Sequence, residues 1–509
     1  MLMKLTCALA LFLLPMFVCA QSELLPKFTT NAPSDLPVMQ AGTVTVSGRI
    51  TLPPGLKRDS IWVQVTVPQP FTGENKRYRT LVGTDGRFSV KVNTETNRSI
   101  CAIKTDINEM HTVTTFLTNG RASTVAINYN EDGDIDKMKT NDAGGLTEND
   151  LVHGVNKFSA LSAHKSNKPR PTLYDKPFSD FFDHTNKVLR DRWGVLNQST
   201  LLSNKMKVMT FRDFALRIYQ VHLFDYEREM ILNYMNTHQQ QMPDSAMIRK
   251  PDRAYFSFLK NLNLNNPLNL YTYALPDLNQ EILRNPILNI PRVQDTPIDE
   301  WTNNTKAILA PLVGFDKGMY YDMLVGNAYA MQFELEVQPL SEKQIANIKK
   351  HFKGNDLEKM LLRRNQEIID AARFKENLVV NETPAVPVEK LMDAIVARYK
   401  GKTVVIDLWA TWCIPCHDAI NESRELRARL KDVVFVYVTG PSSPKKLWQS
   451  QVQGIGGEHY YITKDEMDYV YRHFKLGGLP SYLVYGRDGG FREMVLGWPG
   501  NGEMEGKLK

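Results

Sequence analysis

Two cysteines three positions apart, Cys413 and Cys416, have the types and spacing best suited to chemistry in this 509-residue chain. They follow residues 404–412, a largely apolar run with several β-branched side chains, which is typical of a strand buried on both faces. Apolar residues then recur at helical spacing, so the pair is predicted to begin a helix. Unsatisfied backbone N–H groups and the helix dipole stabilise a thiolate there, and the pattern therefore indicates a reactive dithiol.

Zinc binding and a structural disulfide are the alternatives for this pair. The chain has three other cysteines, Cys7, Cys19 and Cys101, and none forms a second ligand pair, which disfavours zinc. A bridge across so short a loop removes little entropy from the unfolded chain, which disfavours a purely structural disulfide. Redox chemistry is therefore favoured. Cys413 is the predicted exposed nucleophile, with a pKa near or below about 7, and the more buried Cys416 is the predicted resolving thiol.

The segments around the cysteines resemble the thioredoxin superfamily. The letters WATWC at residues 409–413 are similar to its TlpA-like branch, which comprises thiol-disulfide oxidoreductases of the bacterial envelope. The letters GLPS at residues 478–481, followed by an apolar run, match the family's cis-proline loop and penultimate strand. This resemblance implies an α/β thioredoxin-like domain at residues 391–509.

The resemblance also implies roles for residues near the dithiol. A cis peptide bond at Pro480 would place backbone groups beside the sulfurs, and Leu479 would pair with an extended substrate by strand addition. Trp412 is expected to shield the dithiol and to offer the substrate an apolar contact. Pro415 is compatible with the first helical turn, where its missing N–H costs nothing, and it completes the predicted substrate-binding face.

Asp407 is the less obvious candidate. Its position inside an apolar run should raise its pKa by desolvation. It precedes Cys413 by six residues, the position of a buried acid in thioredoxins, whereas many TlpA-like proteins have a neutral residue there. We predict that it accepts the proton of Cys416, with a structural hydrogen-bonding role as the alternative. The predicted site contains no metal and no cofactor other than the Cys413–Cys416 disulfide.

Several further residues have a plainer interpretation. His417 follows the pair, and it is expected either to act on the thiolate as a cation or to be an exposed surface residue. Cys101 lies in an apolar strand-like stretch and is predicted to be a buried, inert thiol. Aspartates alternate in residues 132–136 as in a calcium loop, but Lys137 stands where such a loop requires glycine. A solvated acidic linker is therefore favoured there.

The N-terminus indicates export. Lys4 precedes an apolar run at residues 5–18, and small residues before Gln21 suit a signal peptidase, so residues 1–20 are predicted to be a signal peptide. A lipid anchor at Cys19 is disfavoured because the residues before it lack the small side chain that a lipobox needs. The expected location is the periplasm or cell envelope, without stable membrane insertion after cleavage.

Length and composition favour three globular domains. Hydrophobic residues make up 42% of the chain and charged residues 23%, and the net charge of +6 is scattered, which argues against a nucleic-acid partner. After a linker at residues 21–40, alternating strands predict an antiparallel β-sandwich at residues 41–130, which resembles carboxypeptidase-regulatory-like modules. Residues 131–390 are predicted to be an acidic linker followed by a mostly α-helical domain, before the thioredoxin-like domain at residues 391–509.

Three helix starts are predicted from capping residues. Thr210 with Asp213, and Ser341 with Gln344, have the spacing of capping boxes ahead of apolar residues at helical spacing. Ser443 is predicted to cap a helix that begins at the following proline.

Two functions are compatible with these features. The first is an exported oxidoreductase that reduces or exchanges disulfides of envelope proteins and is itself reduced by a membrane-borne thiol reductant. The second is an envelope binding or assembly protein in which the thioredoxin-like module is an accessory or a sensor. The large share of the chain outside the thioredoxin-like domain favours the second, and the dithiol favours the first.

Overall fold

The computed structural model describes six stretches of the chain, residues 36–56, 61–108, 111–163, 171–333, 338–372 and 378–508. The predicted signal peptide at residues 1–20, and the alternative of a lipid anchor at Cys19, lie outside these stretches. Among the residues described, no helix combines the length and apolar character that crossing a membrane requires.

Eight strands form two four-stranded sheets near the N-terminus. Buried and exposed residues alternate along several of them, for instance at Val44 and Val46, which is the period of a strand with one face in the core. The first sheet has the order β4-β1-β7-β8 and the second the order β3-β2-β5-β6. The strands are β1 (Met39–Thr51), β2 (Trp62–Gln69), β3 (Glu74–Leu81), β4 (Arg87–Thr96), β5 (Arg98–Thr105), β6 (Thr112–Thr118), β7 (Ser123–Tyr129) and β8 (Ile135–Thr140).

Three details of these sheets differ from the sequence prediction. β1 begins at Met39, inside the predicted linker, and it pairs in parallel with β7, so the arrangement is not wholly antiparallel. The stretch predicted as a solvated acidic linker contains β8, whose Ile135 and Met138 are buried. That prediction was wrong because two well-placed apolar residues, paired with β7, are sufficient to hold a short polar strand.

Helices dominate the region between residues 148 and 372. They share one hydrophobic core with both N-terminal sheets, so no change of core marks the predicted boundary at residue 131. The helices are α1 (Glu148–Ala163), α2 (Phe178–Asn197), α3 (Asn204–Ile218), α4 (Tyr226–Thr237), α5 (Ala274–Arg284), α6 (Ile298–Val313), α7 (Met319–Met331), α8 (Glu342–Phe352) and α9 (Asp356–Ala372).

The capping predictions for this region had mixed outcomes. The capping box of Ser341 and Gln344 is confirmed at the start of α8. The one at Thr210 was wrong, because α3 begins earlier, at the cap Ser203, and Thr210 is a buried residue inside the helix.

The C-terminal part contains a six-stranded sheet of order β14-β13-β10-β11-β12-β9. Its edge strand β9 lies in the stretch predicted to be helical, so the predicted domain boundary at residue 390 was wrong. The strands are β9 (Leu378–Asn381), β10 (Thr403–Leu408), β11 (Val433–Thr439), β12 (Gly457–Tyr461), β13 (Ser481–Tyr485) and β14 (Phe491–Leu496). The helices are α10 (Leu391–Val396), α11 (Ile414–Glu422), α12 (Arg424–Arg429), α13 (Lys445–Ile455), α14 (Lys464–His473) and α15 (Asn501–Leu508).

The central strand β10 separates two hydrophobic clusters. Val404, Ile406 and Leu408 pack on one face, with α10 and α14. Val405 and Trp409 pack on the other face, with both cysteines of the pair. Because successive strand residues point to opposite faces, Asp407 is placed on the side of the cysteines.

Candidate redox site

Cys413 and Cys416 lie where β10 gives way to α11. Cys413 is the N-cap residue of α11, and its sulfur accepts a hydrogen bond from the backbone N–H of Cys416 at 3.2 Å. The two sulfurs form a disulfide across a Cα–Cα distance of 5.3 Å. Pro415 lies in the first turn, where no intrahelical donor is lost. The strand therefore delivers a disulfide to the positive end of the helix dipole.

The exposure around the pair differs from the prediction. Cys416 is fully buried, as expected, but Cys413 retains only 4% of its surface, so the prediction of an exposed nucleophile was wrong. The neighbours of Cys413 are exposed instead: Trp412 retains 55% of its surface, and Pro415 is also exposed. These two side chains therefore form exposed surface beside the buried disulfide.

The loop before β13 borders the same cluster. The peptide bond between Leu479 and Pro480 is cis, and Pro480 is buried. Leu479 is half-buried and packs against the cluster that contains both cysteines. The Ser481 hydroxyl donates to the carbonyl of Gly478 at 2.7 Å, which closes the loop. Of the sequence-predicted substrate-binding residues, Leu479 thus packs at the cluster that contains the disulfide, whereas Trp412 and Pro415 are exposed neighbours of Cys413.

Asp407 is buried on the cysteine side of the sheet. One of its carboxylate oxygens, Oδ1, has no hydrogen-bond partner among the residues that the structure describes. Burial raises its pKa to about 8, and the nearby guanidinium of Arg427 opposes that rise. Arg427 is itself buried, lies over the ring of Tyr437 and donates to the carbonyl of Ile420 at 2.9 Å. The sequence offered no indication of this arginine, since it lies in a charged, helix-like stretch.

The two histidines of this region are buried and neutral. His417 was expected to be a cation or an exposed residue, and both expectations were wrong because only 3% of its surface is exposed. Burial lowers its pKa to about 4, and its Nε2 donates to the carbonyl of Thr411 at 3.1 Å. His459, for which the sequence indicated no role, also has a pKa lowered by burial to about 4, and its ring stacks on Tyr437.

The backbone before the cysteines is held at Thr411. Its N–H donates to the Ser443 hydroxyl at 3.0 Å, and its carbonyl accepts from Gln451 at 3.2 Å as well as from His417. Ser443 was predicted to cap a helix, but α13 begins at Lys445 with Pro444 as its cap. The hydroxyl of Ser443 instead fixes the loop that presents Trp412 and Cys413.

The second sheet contacts the active-site helix. Arg77 of β3 lies 4.0 Å from Asp418 of α11, and Arg79 lies 3.6 Å from Glu422. The Asp418 side chain keeps 43% of its surface exposed, yet the protein around it desolvates the carboxylate and raises its pKa to about 6, against the favourable charge of Arg77. The sequence did not predict β3, whose letters ENKRYRTL have no apolar alternation.

Close backbone approach completes this contact. A Cβ atom added at Gly502 of α15 would overlap the ring of Trp62 at the start of β2, and one added at Gly500 would overlap the Arg79 guanidinium. Glycine therefore permits the C-terminal helix to lie directly against the second sheet. Within the described residues, no group of three or more His, Cys, Asp or Glu side chains is arranged to hold a metal ion.

The similarity to known proteins covers part of the chain. No family model matches it. The thiol-disulfide oxidoreductase ResA of Bacillus thuringiensis (strain Al Hakam) is 24% identical over 110 residues, which are 22% of this chain and 64% of the relative. ResA of Geobacillus kaustophilus (strain HTA426) is 25% identical over 112 residues, again 64% of the relative. The chain thus spans less than two thirds of these relatives' length.

Two solved structures are also similar over part of the chain. StoA from Bacillus subtilis is 12% identical with a TM-score of 0.19, and it covers 22% of this chain and 84% of its own. A thiol:disulfide interchange protein of the thioredoxin family from Chlorobium tepidum TLS is 19% identical with a TM-score of 0.19, covering 22% and 81%. The ResA relatives confirm, for about a fifth of the chain, the resemblance to thiol-disulfide oxidoreductases of the thioredoxin superfamily that the sequence indicated.

Proposed function

We propose that this protein is an exported thiol-disulfide oxidoreductase that reduces or exchanges disulfides of envelope proteins through Cys413 and Cys416. The observation that supports this most strongly is the disulfide at the N-terminus of α11, on the same side of β10 as the buried Asp407. A dithiol in this position forms a stabilised thiolate, and the acid provides a group to accept a proton.

The first step is attack by the Cys413 thiolate on one sulfur of a substrate disulfide. A bond forms between Cys413 and that sulfur, the substrate bond breaks, and the released substrate thiolate takes up a proton. Trp412, Pro415 and Leu479 are the side chains placed to contact the substrate at this stage. The product is a mixed disulfide between protein and substrate.

The second step is attack by Cys416 on the sulfur of Cys413. The ionised fraction of Asp407 accepts the proton of Cys416, and the bond between the two cysteines forms as the bond between Cys413 and the substrate breaks. The released substrate thiolate takes up a proton. A carboxyl pKa of about 8 is close to that of a thiol, so this transfer is nearly balanced in energy. Two electrons have then passed to the substrate, and a membrane-borne thiol reductant restores the dithiol.

Reduction of insulin disulfides by dithiothreitol tests the proposal. Wild-type protein should accelerate it, Cys413→Ser should abolish the acceleration, and Cys416→Ser should accumulate a mixed disulfide. Cys101→Ala is the matched control, because Cys101 is buried in β5 away from the pair. Identification of the proteins trapped by Cys416→Ser in the envelope would test the location and the substrate class together.

Absence of acceleration by the wild-type protein, with no trapped species for Cys416→Ser, would contradict the proposal. That result would favour the alternative of an envelope binding or assembly protein with an accessory or sensing thioredoxin-like module.

A further inference from the structure

A cavity of about 320 Å³ lies between the second sheet and the helices that cover it. One wall is formed by strand residues that include Thr66, Ala102 and Thr114, and the other by helix residues that include Phe158 and Met209. This volume is at the lower end of the range of small-ligand pockets, and it accommodates one or two large apolar side chains.

The strand wall of the cavity leads towards the redox site. Thr114, Ala102 and Thr66 lie directly opposite one another on adjacent strands, and the next residue in that row is Arg77. Directly opposed residues point to the same side of a sheet, and adjacent strands are about 4.8 Å apart. Arg77 in turn lies 4.0 Å from Asp418, two residues after Cys416. One sheet face therefore connects the cavity with the active-site helix.

The cavity wall contains polar groups that lack partners within the described chain. The Thr114 hydroxyl and the Tyr273 hydroxyl are both buried without a hydrogen bond there. Asp213 also borders the cavity, where it accepts from the backbone N–H of Ala274 at 2.8 Å, and burial raises its pKa to about 6. Buried hydroxyls without partners are costly unless a bound group completes them.

We propose that this cavity is a substrate-recognition site for the redox centre. It binds an apolar side chain of an extended, cystine-bearing polypeptide, several residues from the disulfide that Cys413 attacks. Phe158 and Met209 provide the apolar surface that contacts this side chain. This inference rests on the proposed function, and it names the class of substrate that the N-terminal sheets select.

Cystine peptides of defined composition test the proposal with the full-length protein. One series contains a single Phe at increasing distance from the cystine among Gly and Ser residues, and a reference peptide has Ser in place of Phe. We expect kcat/KM to be about 10-fold higher at the best spacing than for the Ser peptide, because one apolar side chain leaves water. Hydroxyethyl disulfide is too small to reach the cavity. The wild-type protein and the three tryptophan variants described below should therefore reduce it at the same rate.

Two substitutions fill the cavity from opposite walls. Ala102→Trp adds volume from β5, and Met209→Trp adds volume from α3. In either variant, the kcat/KM values for the Phe peptide and the Ser peptide should differ by less than 2-fold. Ala126→Trp is the matched control, because Ala126 is also a half-buried strand alanine but lies in the first sheet, away from the cavity. Ala126→Trp should keep the higher kcat/KM for the Phe peptide.

A binding measurement separates this inference from the proposed function. In a Cys413→Ser/Cys416→Ser background, the fluorescent Phe peptide with serines for cysteines should bind more tightly than its Ser counterpart, and Ala102→Trp should remove the difference. Lack of any preference, or a preference that survives both cavity-filling variants, would overturn the cavity as a recognition site. If the wild-type protein failed to reduce even hydroxyethyl disulfide, the proposed redox function would be overturned. The binding measurement would then decide by itself whether the cavity recognises the peptide.

Discussion

Asp407 shows how one buried acid couples stability to chemistry. Its pKa of about 8 in the folded protein lies above the value near 4 of an unfolded chain. Below about pH 4, Asp407 is protonated in both the folded and the unfolded state and has no effect on the free energy of unfolding. Between about pH 4 and 8 only the unfolded chain ionises, so stability falls as pH rises, and above about pH 8 the loss is constant.

Asp407→Asn should therefore stabilise the protein and slow its reaction. The expected gain in the free energy of unfolding is roughly 2–5 kcal/mol at pH 9, and it should vanish near pH 4. Urea unfolding at both pH values measures it, and Asp432→Asn, at an exposed carboxylate, should change stability by less than about 0.5 kcal/mol. Rates of disulfide reduction that remain as in the wild type between pH 6 and 9 would remove Asp407 from the mechanism.

At the scale of elements, the loop between β10 and α11 depends on a residue from another segment. The Ser443 hydroxyl, just before α13, accepts from the buried N–H of Thr411 and is 2.8 Å from the Thr439 hydroxyl. The strand, the active-site loop and the start of α13 are thereby joined at one side chain. The hydrogen bonds of Ser443 therefore help to position Trp412 and Cys413, in addition to the helix that begins after these residues.

Ser443→Ala should destabilise the protein by about 1–3 kcal/mol, because it leaves the buried N–H of Thr411 without its acceptor. Faster hydrogen exchange in residues 411–413 and lower activity should accompany the loss. Ser442→Ala, at the exposed neighbouring serine, is the matched control and should alter stability by less than about 0.5 kcal/mol. Equal effects of the two changes would show that the junction does not hold the loop.

At the scale of the whole molecule, the C-terminal sheet and its helices are docked on the second sheet. The ion pairs of Arg77 and Arg79 are partly exposed, and such pairs contribute little energy. Close packing of Gly502 on Trp62 is the stricter contact, because an added methyl group has no room. Docking brings Arg77, which continues the strand row of the cavity wall, to 4.0 Å from Asp418 of the active-site helix.

Two alanine substitutions in α15 should have opposite effects. Gly502→Ala should loosen the docking, with faster hydrogen exchange in β2 and β3 and a larger radius of gyration by solution scattering. Gly506→Ala, in the same helix, meets no atom within 4 Å and should stabilise the helix by up to about 1 kcal/mol. Stabilisation by both changes would mean that the packing on Trp62 is absent in solution.

The sequence by itself determined the parts that depend on local patterns. The dithiol at a helix start, the acid within a buried strand and the strand after the cis-proline loop follow from contiguous runs of a few residues, whose period and capping chemistry need no distant partner. Cys101 likewise is buried with a raised pKa, as its apolar neighbours predicted.

Only the tertiary structure decided what depends on partners far along the chain. β3 and β9 are strands because other segments complete their hydrogen bonds, not because their own residues alternate. His417 and Cys413 are buried by neighbouring elements, although their immediate sequence suggested exposure. The cavity beside the second sheet exists because α1 and α3 close over the small side chain of Ala102. Phe158 and Met209 lie 56 and 107 residues after that alanine, so no local pattern specifies the contact.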